Sequence, residues 1–161
     1  MSAYRSPQVT SCGGARVRVG DLRELAPSTG TAAPLPAQEP VLDRAVLTRL
    51  AACLGSREIA RTYVEVVLLH GPGWCDRVHD AVEREDVTGL RSHLAALQEQ
   101  ARFLGLSRLT ATCMAAEREL GPGGAHEHEA VASGALRWWG RAVTDELAIG
   151  FARLTHDRSL L

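Results

Sequence analysis

The stretch from Asp86 to Leu120, read DVTGLRSHLAALQEQARFLGLSRLTATCMAAEREL, constrains the fold more than any other part of the chain. Leu90, Leu94, Leu97, Ala101 and Leu104 recur at spacings of four and three, which at about 3.6 residues per turn gathers them into one apolar stripe. Gly105 interrupts the run. Leu106, Leu109, Cys113, Ala116 and Leu120 then begin a second stripe. Two helices joined at a tight bend and packed antiparallel satisfy both patterns, and place this stretch in the middle of an all-α, up-and-down bundle.

The flanking sequence extends the same texture. Leu42, Val46, Leu47, Leu50 and Leu54 fit a helix that follows Pro40 and stops near Gly55, and Ser56 can cap a second carrying Ile59, Tyr63, Val66 and Val67. His70-Gly-Pro-Gly73 reads as a bend, with Trp74, Val78, Ala81 and Val82 on a third helix beyond it or continuous with the second through a kink. After the break at Gly121-Pro-Gly-Gly124, a final stripe runs through Ala132, Leu136, Trp139, Val143, Leu147, Phe151 and Leu154. Six helical segments around a four-helix core are expected over residues 41–156, with a short C-terminal tail at 157–161. Residues 1–40 are punctuated by glycine and proline and are expected to form a loose arm, in which Arg16-Val-Arg-Val-Gly20 reads as a short strand or a docking peptide.

Composition narrows the function classes. A net charge of -1 gives no general pull towards nucleic acid or acidic lipid. All 18 basic residues are arginine, so Schiff-base chemistry and a lysine-dependent phosphate loop are excluded. Walker, GxGxxG, HExxH and GxSxG patterns are absent. No apolar run approaches the roughly 20 residues that span a bilayer, and the first residues lack a signal-peptide core, so a cytoplasmic location without membrane contact is the expectation. Cys12, Cys53, Cys75 and Cys113 form no CxxC pair; the last three fall on apolar faces and read as buried reduced thiols.

Two further groups invite a chemical reading. His70, Cys75 and His79, and separately His126 and His128, are the residues closest to metal-ligand spacing, but neither set makes a zinc motif and no cofactor is expected. Trp138 lies beside Trp139 and about 100° from it on a helix, so Trp139 takes the apolar stripe and Trp138 its edge. Trp138 is then either an interface anchor or a groove filler with its N–H hydrogen bonded.

The central stretch resembles a histidine-containing phosphotransfer (HPt) domain of bacterial and plant phosphorelays. That family's pattern is roughly Leu-x-x-x-Ala-His-x-Leu-Lys-Gly-Ser-Ala-x-x-Leu-Gly, then Leu-x-x-x-Cys and a Leu-Glu pair, with an acidic or polar residue before the helix. Here Asp86, Leu90, Leu94, Leu97, Ala101, Leu104, Gly105, Leu109, Cys113 and Glu117 keep its scaffold. Asp43, Leu47, Leu50, Leu54-Gly55, Ile59 and Tyr63 are similar to the family's early helices. The resemblance implies an HPt-like bundle and, as partners, a response-regulator receiver domain or a histidine kinase.

The reactive positions depart from that pattern. The phosphorylatable histidine falls on Ala95, the lysine on Gln98 and the glycine on Glu99. Alanine offers no nucleophile, and a carboxylate one turn away opposes an incoming aspartyl phosphate. The expectation is therefore a non-enzymatic signalling adaptor or inhibitor that docks its partner without accepting phosphate. Arg91, Ala95, Gln98, Glu99 and Arg102 would form the exposed docking face, or would simply be solvated residues on a wet helix face. Two alternatives stay open: a structural or homodimeric bundle using Trp138, and residual phosphotransfer through His93, about 160° round the helix from position 95.

Overall fold

The computed structural model describes residues 39–121, 125–132 and 134–157. The expected arm, including Cys12 and the Arg16–Gly20 motif, lies outside the described residues, as does the stretch 158–161. Six helices, and no strand, occur among the described residues: α1 (Arg44–Cys53), α2 (Arg57–Glu83), α3 (Val87–Phe103), α4 (Ser107–Leu120), α5 (Ala125–Ala132) and α6 (Ala135–Asp157).

Local chemistry sets the helix starts. Asp43 accepts from the Ala45 N–H at 2.9 Å and Ser56 from the Glu58 N–H at 3.1 Å, satisfying donors that the first turn cannot. Asp86 caps α3 through the Gly89 N–H at 2.6 Å. A side chain at Gly89 would overlap the Asp86 carboxylate, so the glycine makes room for the cap. No side chain caps α4. Its Arg108 N–H donates instead to the Pro40 carbonyl at 3.2 Å, which ties the chain entering α1 to the α3–α4 bend.

α2, α3, α4 and α6 pack in a closed ring, each against the next, with α6 returning to α2. The pairing is antiparallel throughout. Gly71 faces Phe151 while Gly140 faces Val82, and Leu106 meets Gly150 while Arg108 meets Glu146. Both stripes of the central stretch are buried as expected, from Leu90 to Leu104 and from Leu106 to Leu120, and Leu136, Trp139, Val143, Leu147 and Leu154 complete the core. α1 packs on α2, and α5 rests against α3, α4 and α6.

Three details of the sequence reading are corrected here. His70-Gly-Pro-Gly73 does not separate two helices: of the two expectations there the continuous one holds, and α2 runs helically through Pro72 for 27 residues. Pro72 costs the helix one backbone bond, but tertiary packing carries it across: the Phe151 ring occupies the place of a Gly71 side chain, and Trp74 packs on Phe151 with ring centroids 5.9 Å apart. The sixth helix is supplied instead by α5. The buried stripe of α2 is also turned by one residue from that expected, running through Ala60, Val64, Val67, Gly71, Cys75 and Val78, so that Ile59 and Val66 stand 54% and 47% exposed. Cys53 is exposed, unlike Cys75 and Cys113.

The pole that carries α1 is held by charge. Asp157, 3% exposed at the end of α6, accepts from Arg44 of α1 at 3.1 Å and pairs with Arg153 at 2.9 Å. α6 thus extends one residue past the expected boundary. A carboxylate at a helix C-terminus meets an unfavourable dipole, which the two guanidinium groups offset. Between α4 and α6, Arg108 and Glu146 form a largely buried pair at 2.7 Å.

Candidate functional site

α3 carries the candidate site because its two flanks face different neighbours. Its buried edge, Leu90, Leu94, Leu97 and Ala101, points into the core. On a 3.6-residue helix that places Arg91, Gln98 and Arg102 on one side of the outer surface, and His93, Ala96 and Gln100 on the other.

Ala95, Glu99 and Arg102 are exposed, and Ala95 stands open to solvent at the position where the resemblance puts a reactive imidazole. Gln98 is half-buried. In the amide orientation that satisfies both its ends, it accepts from Arg102 Nη2 at 3.0 Å and donates to Glu117 Oε2 of α4 at 3.3 Å. This chain of polar groups restrains Arg102 beside Ala95. Arg91 departs from the expectation of a solvated rim residue: it is half-buried, and its Nε is enclosed with no hydrogen-bond partner among the described residues. The face is therefore framed by one exposed arginine and one recessed arginine.

His93 occupies the other flank. It is half-buried in a groove of about 250 Å³ between α2 and α3, with Trp74 and Arg77 contributed by α2 and Gln100 and Glu99 by α3. Ala95 is not among the groove's walls; Glu99, at the crest of α3, borders it. Sequence reasoning singled out His93 and Glu99 but did not join them to Trp74, Arg77 or Gln100. Trp74 and Arg77 lie on a segment expected beyond a bend or a kink from the second helix, so nothing in their spacing announced a shared wall. Tyr63 secures the groove's end, its hydroxyl donating to Gln100 Oε1 at 2.9 Å and its ring meeting Phe103 edge-on at 5.5 Å. Burial raises the Tyr63 pKa, so the phenol stays protonated as a donor.

Trp138 packs edge-on against Trp139 at 4.4 Å and is half-buried. Its indole N–H has no hydrogen-bond partner among the described residues, contrary to the partner expected for a groove filler. The metal-spaced residues do not converge. Cys75 is buried whereas His70, His79 and His128 are exposed, and the side chain of His126 lies outside the described residues. No group of three His, Cys, Asp or Glu side chains able to hold a metal occurs among the described residues. A second groove, of about 270 Å³ between α2 and α6, is lined by Arg137, Arg141 and Asp145, but Arg137 already faces Glu85 at 3.6 Å. Burial raises the Asp145 pKa, with Arg141 opposing the shift.

Among the described residues, no helix is long and apolar enough to cross a membrane. Comparison with protein-family models, with curated proteins and with solved structures gave no match.

Proposed function

We propose that the chain is a non-catalytic, HPt-like four-helix docking module. It captures a two-component receiver domain or histidine kinase through the α3 face centred on Ala95, as an adaptor or inhibitor that takes no phosphate. The observation that carries this reading is the exposure of Ala95 between Glu99 and Arg102 on a helix whose opposite edge is fully committed to the core. A short side chain there leaves a shallow seat. Arg102, restrained through Gln98 and Glu117, supplies a charged rim at little further entropic cost on binding.

The test is capture of a panel of purified receiver domains and histidine-kinase phosphotransfer domains, measured by calorimetry. Ala95→Arg fills the seat and is expected to abolish capture without changing the melting temperature, since the site is exposed. Arg102→Glu is expected to weaken capture at least about tenfold by reversing the rim charge. Arg91→Glu is a poor probe because it would enclose a carboxylate. Capture that survives both substitutions, or its absence across the panel, sinks the reading.

One observation favours a second reading, in which His93 itself is the phosphoacceptor: Arg77 lines the same groove and provides a cation for a phosphoryl group. Incubation with phosphorylated receivers that yields an acid-labile phosphohistidine, lost in His93→Ala, would replace the docking reading with this one.

A further inference from the structure

The α2–α3 groove gathers functional groups that docking at Ala95 leaves unused. Trp74 supplies a flat indole wall, Arg77 a guanidinium and His93 an imidazole, while the short side chain of Ala96 leaves the space between them open. Gln100 is oriented rather than free. Its Oε1 is taken by the Tyr63 hydroxyl at 2.9 Å, so its NH₂ group remains as a donor. Glu99 alone adds an acceptor, and it stands at the solvent side of the crest. The side chains of Arg77, His93 and Glu99 enter no hydrogen bond or ion pair among the described residues.

The groove thus presents an aromatic wall, three donor groups and one anion on the crest of α3. We propose that it binds a small aromatic amino acid, with the ring against Trp74, the carboxylate held by Arg77 with His93 and Gln100 donating, and the ammonium directed to Glu99. A planar guanidinium suits a carboxylate in two-point contact, and ring stacking on an indole sets the orientation. A groove of about 250 Å³ takes a single-ring zwitterion and is too small for a nucleotide. This inference does not rest on the docking reading: it uses the opposite flank of α3 and shares with the docking face only Glu99, at the crest.

The experiment titrates the 161-residue chain with L-phenylalanine, with phenylacetate, which lacks the ammonium, and with phenethylamine, which lacks the carboxylate. Shifts of the His93 ring and Trp74 indole resonances are followed by NMR. L-phenylalanine is expected to bind saturably with a Kd below about 5 mM, phenylacetate several-fold more weakly, and phenethylamine not measurably. Arg77→Gln is expected to weaken L-phenylalanine at least about tenfold. Glu99→Gln should lower its affinity to that of phenylacetate while leaving phenylacetate unchanged. Both residues are exposed, and a circular dichroism melt confirms that each variant folds. The proposal is overturned by three results: no saturable shift up to about 20 mM L-phenylalanine, an affinity that Arg77→Gln leaves unaltered, or tighter binding of phenylacetate than of the amino acid.

Discussion

Replacing Gly105 and Gly55 by alanine, each alone, separates two costs that usually arrive together. The two glycines have nearly the same positive φ, 73° and 74°, a range in which a side chain is strained. Both substitutions should therefore lose about 1 kcal/mol from the backbone alone. Their surroundings differ. A Cβ at Gly55 meets nothing within 4 Å, whereas one at Gly105 would stand 2.6 Å from the Asp43 carbonyl oxygen and 2.9 Å from Val46 Cβ. The obstruction at Gly105 is mainly backbone, and that backbone is fixed by the Asp43 N–H donating to the Gly105 carbonyl at 2.7 Å. Relief requires α1 to shift, which adds about 1–3 kcal/mol of overpacking.

Gly105→Ala should thus cost about 2–4 kcal/mol against about 1 for Gly55→Ala, a difference of roughly 4–12 °C in melting temperature. Urea unfolding at neutral pH, fitted with a common slope, gives both values directly. The decisive quantity is their difference. If Gly105→Ala proves no more damaging than Gly55→Ala, α1 does not lie over the α3–α4 bend as described, and the account of this pole is wrong.

Two further outcomes follow from buried groups. Asp157→Asn removes the charge that Arg44 and Arg153 share and should cost about 1–3 kcal/mol, less than for a fully enclosed pair because both arginines are substantially exposed; urea unfolding that shows no loss would remove the charge clasp from the account. Burial, with a smaller contribution from Glu117, pushes the Cys113 thiol from its ordinary 9.0 up to about 12. Between those values the unfolded thiol has lost its proton and the folded one keeps it, so stability falls as pH rises through 9, by up to about 1.4 kcal/mol per unit. Cys113→Ala should flatten that alkaline limb of a pH–stability profile; an unchanged limb would contradict the burial of this thiol.

Legibility in the sequence followed the strength of the local pattern. α3 and α4 could be read to the residue because each offers only one apolar stripe. α2 could not: the β-branched run from Val64 to Val67 supports two overlapping stripes, and packing selected the one through Ala60, Val64 and Val67. Gly71 and Pro72 carry strong local signals for a break, overruled by the distant Phe151 ring. On the candidate site, the exposure of Ala95 was readable from helical phase alone. The recess of Arg91, the link from Gln98 to Glu117 and the wall that Trp74 lends to His93 all depend on neighbouring helices, and sequence spacing carries no record of them.

The clasp between Arg44 and Asp157 has a consequence for synthesis. Its partners are 113 residues apart, so a chain emerging from the ribosome displays α1 long before the matching acid exists. The hairpin of α3 and α4 needs only neighbours already made. Final seating of α1 must wait for the last helical turn to clear the exit tunnel, and until then the buried leucines of α1 lack part of their anchorage.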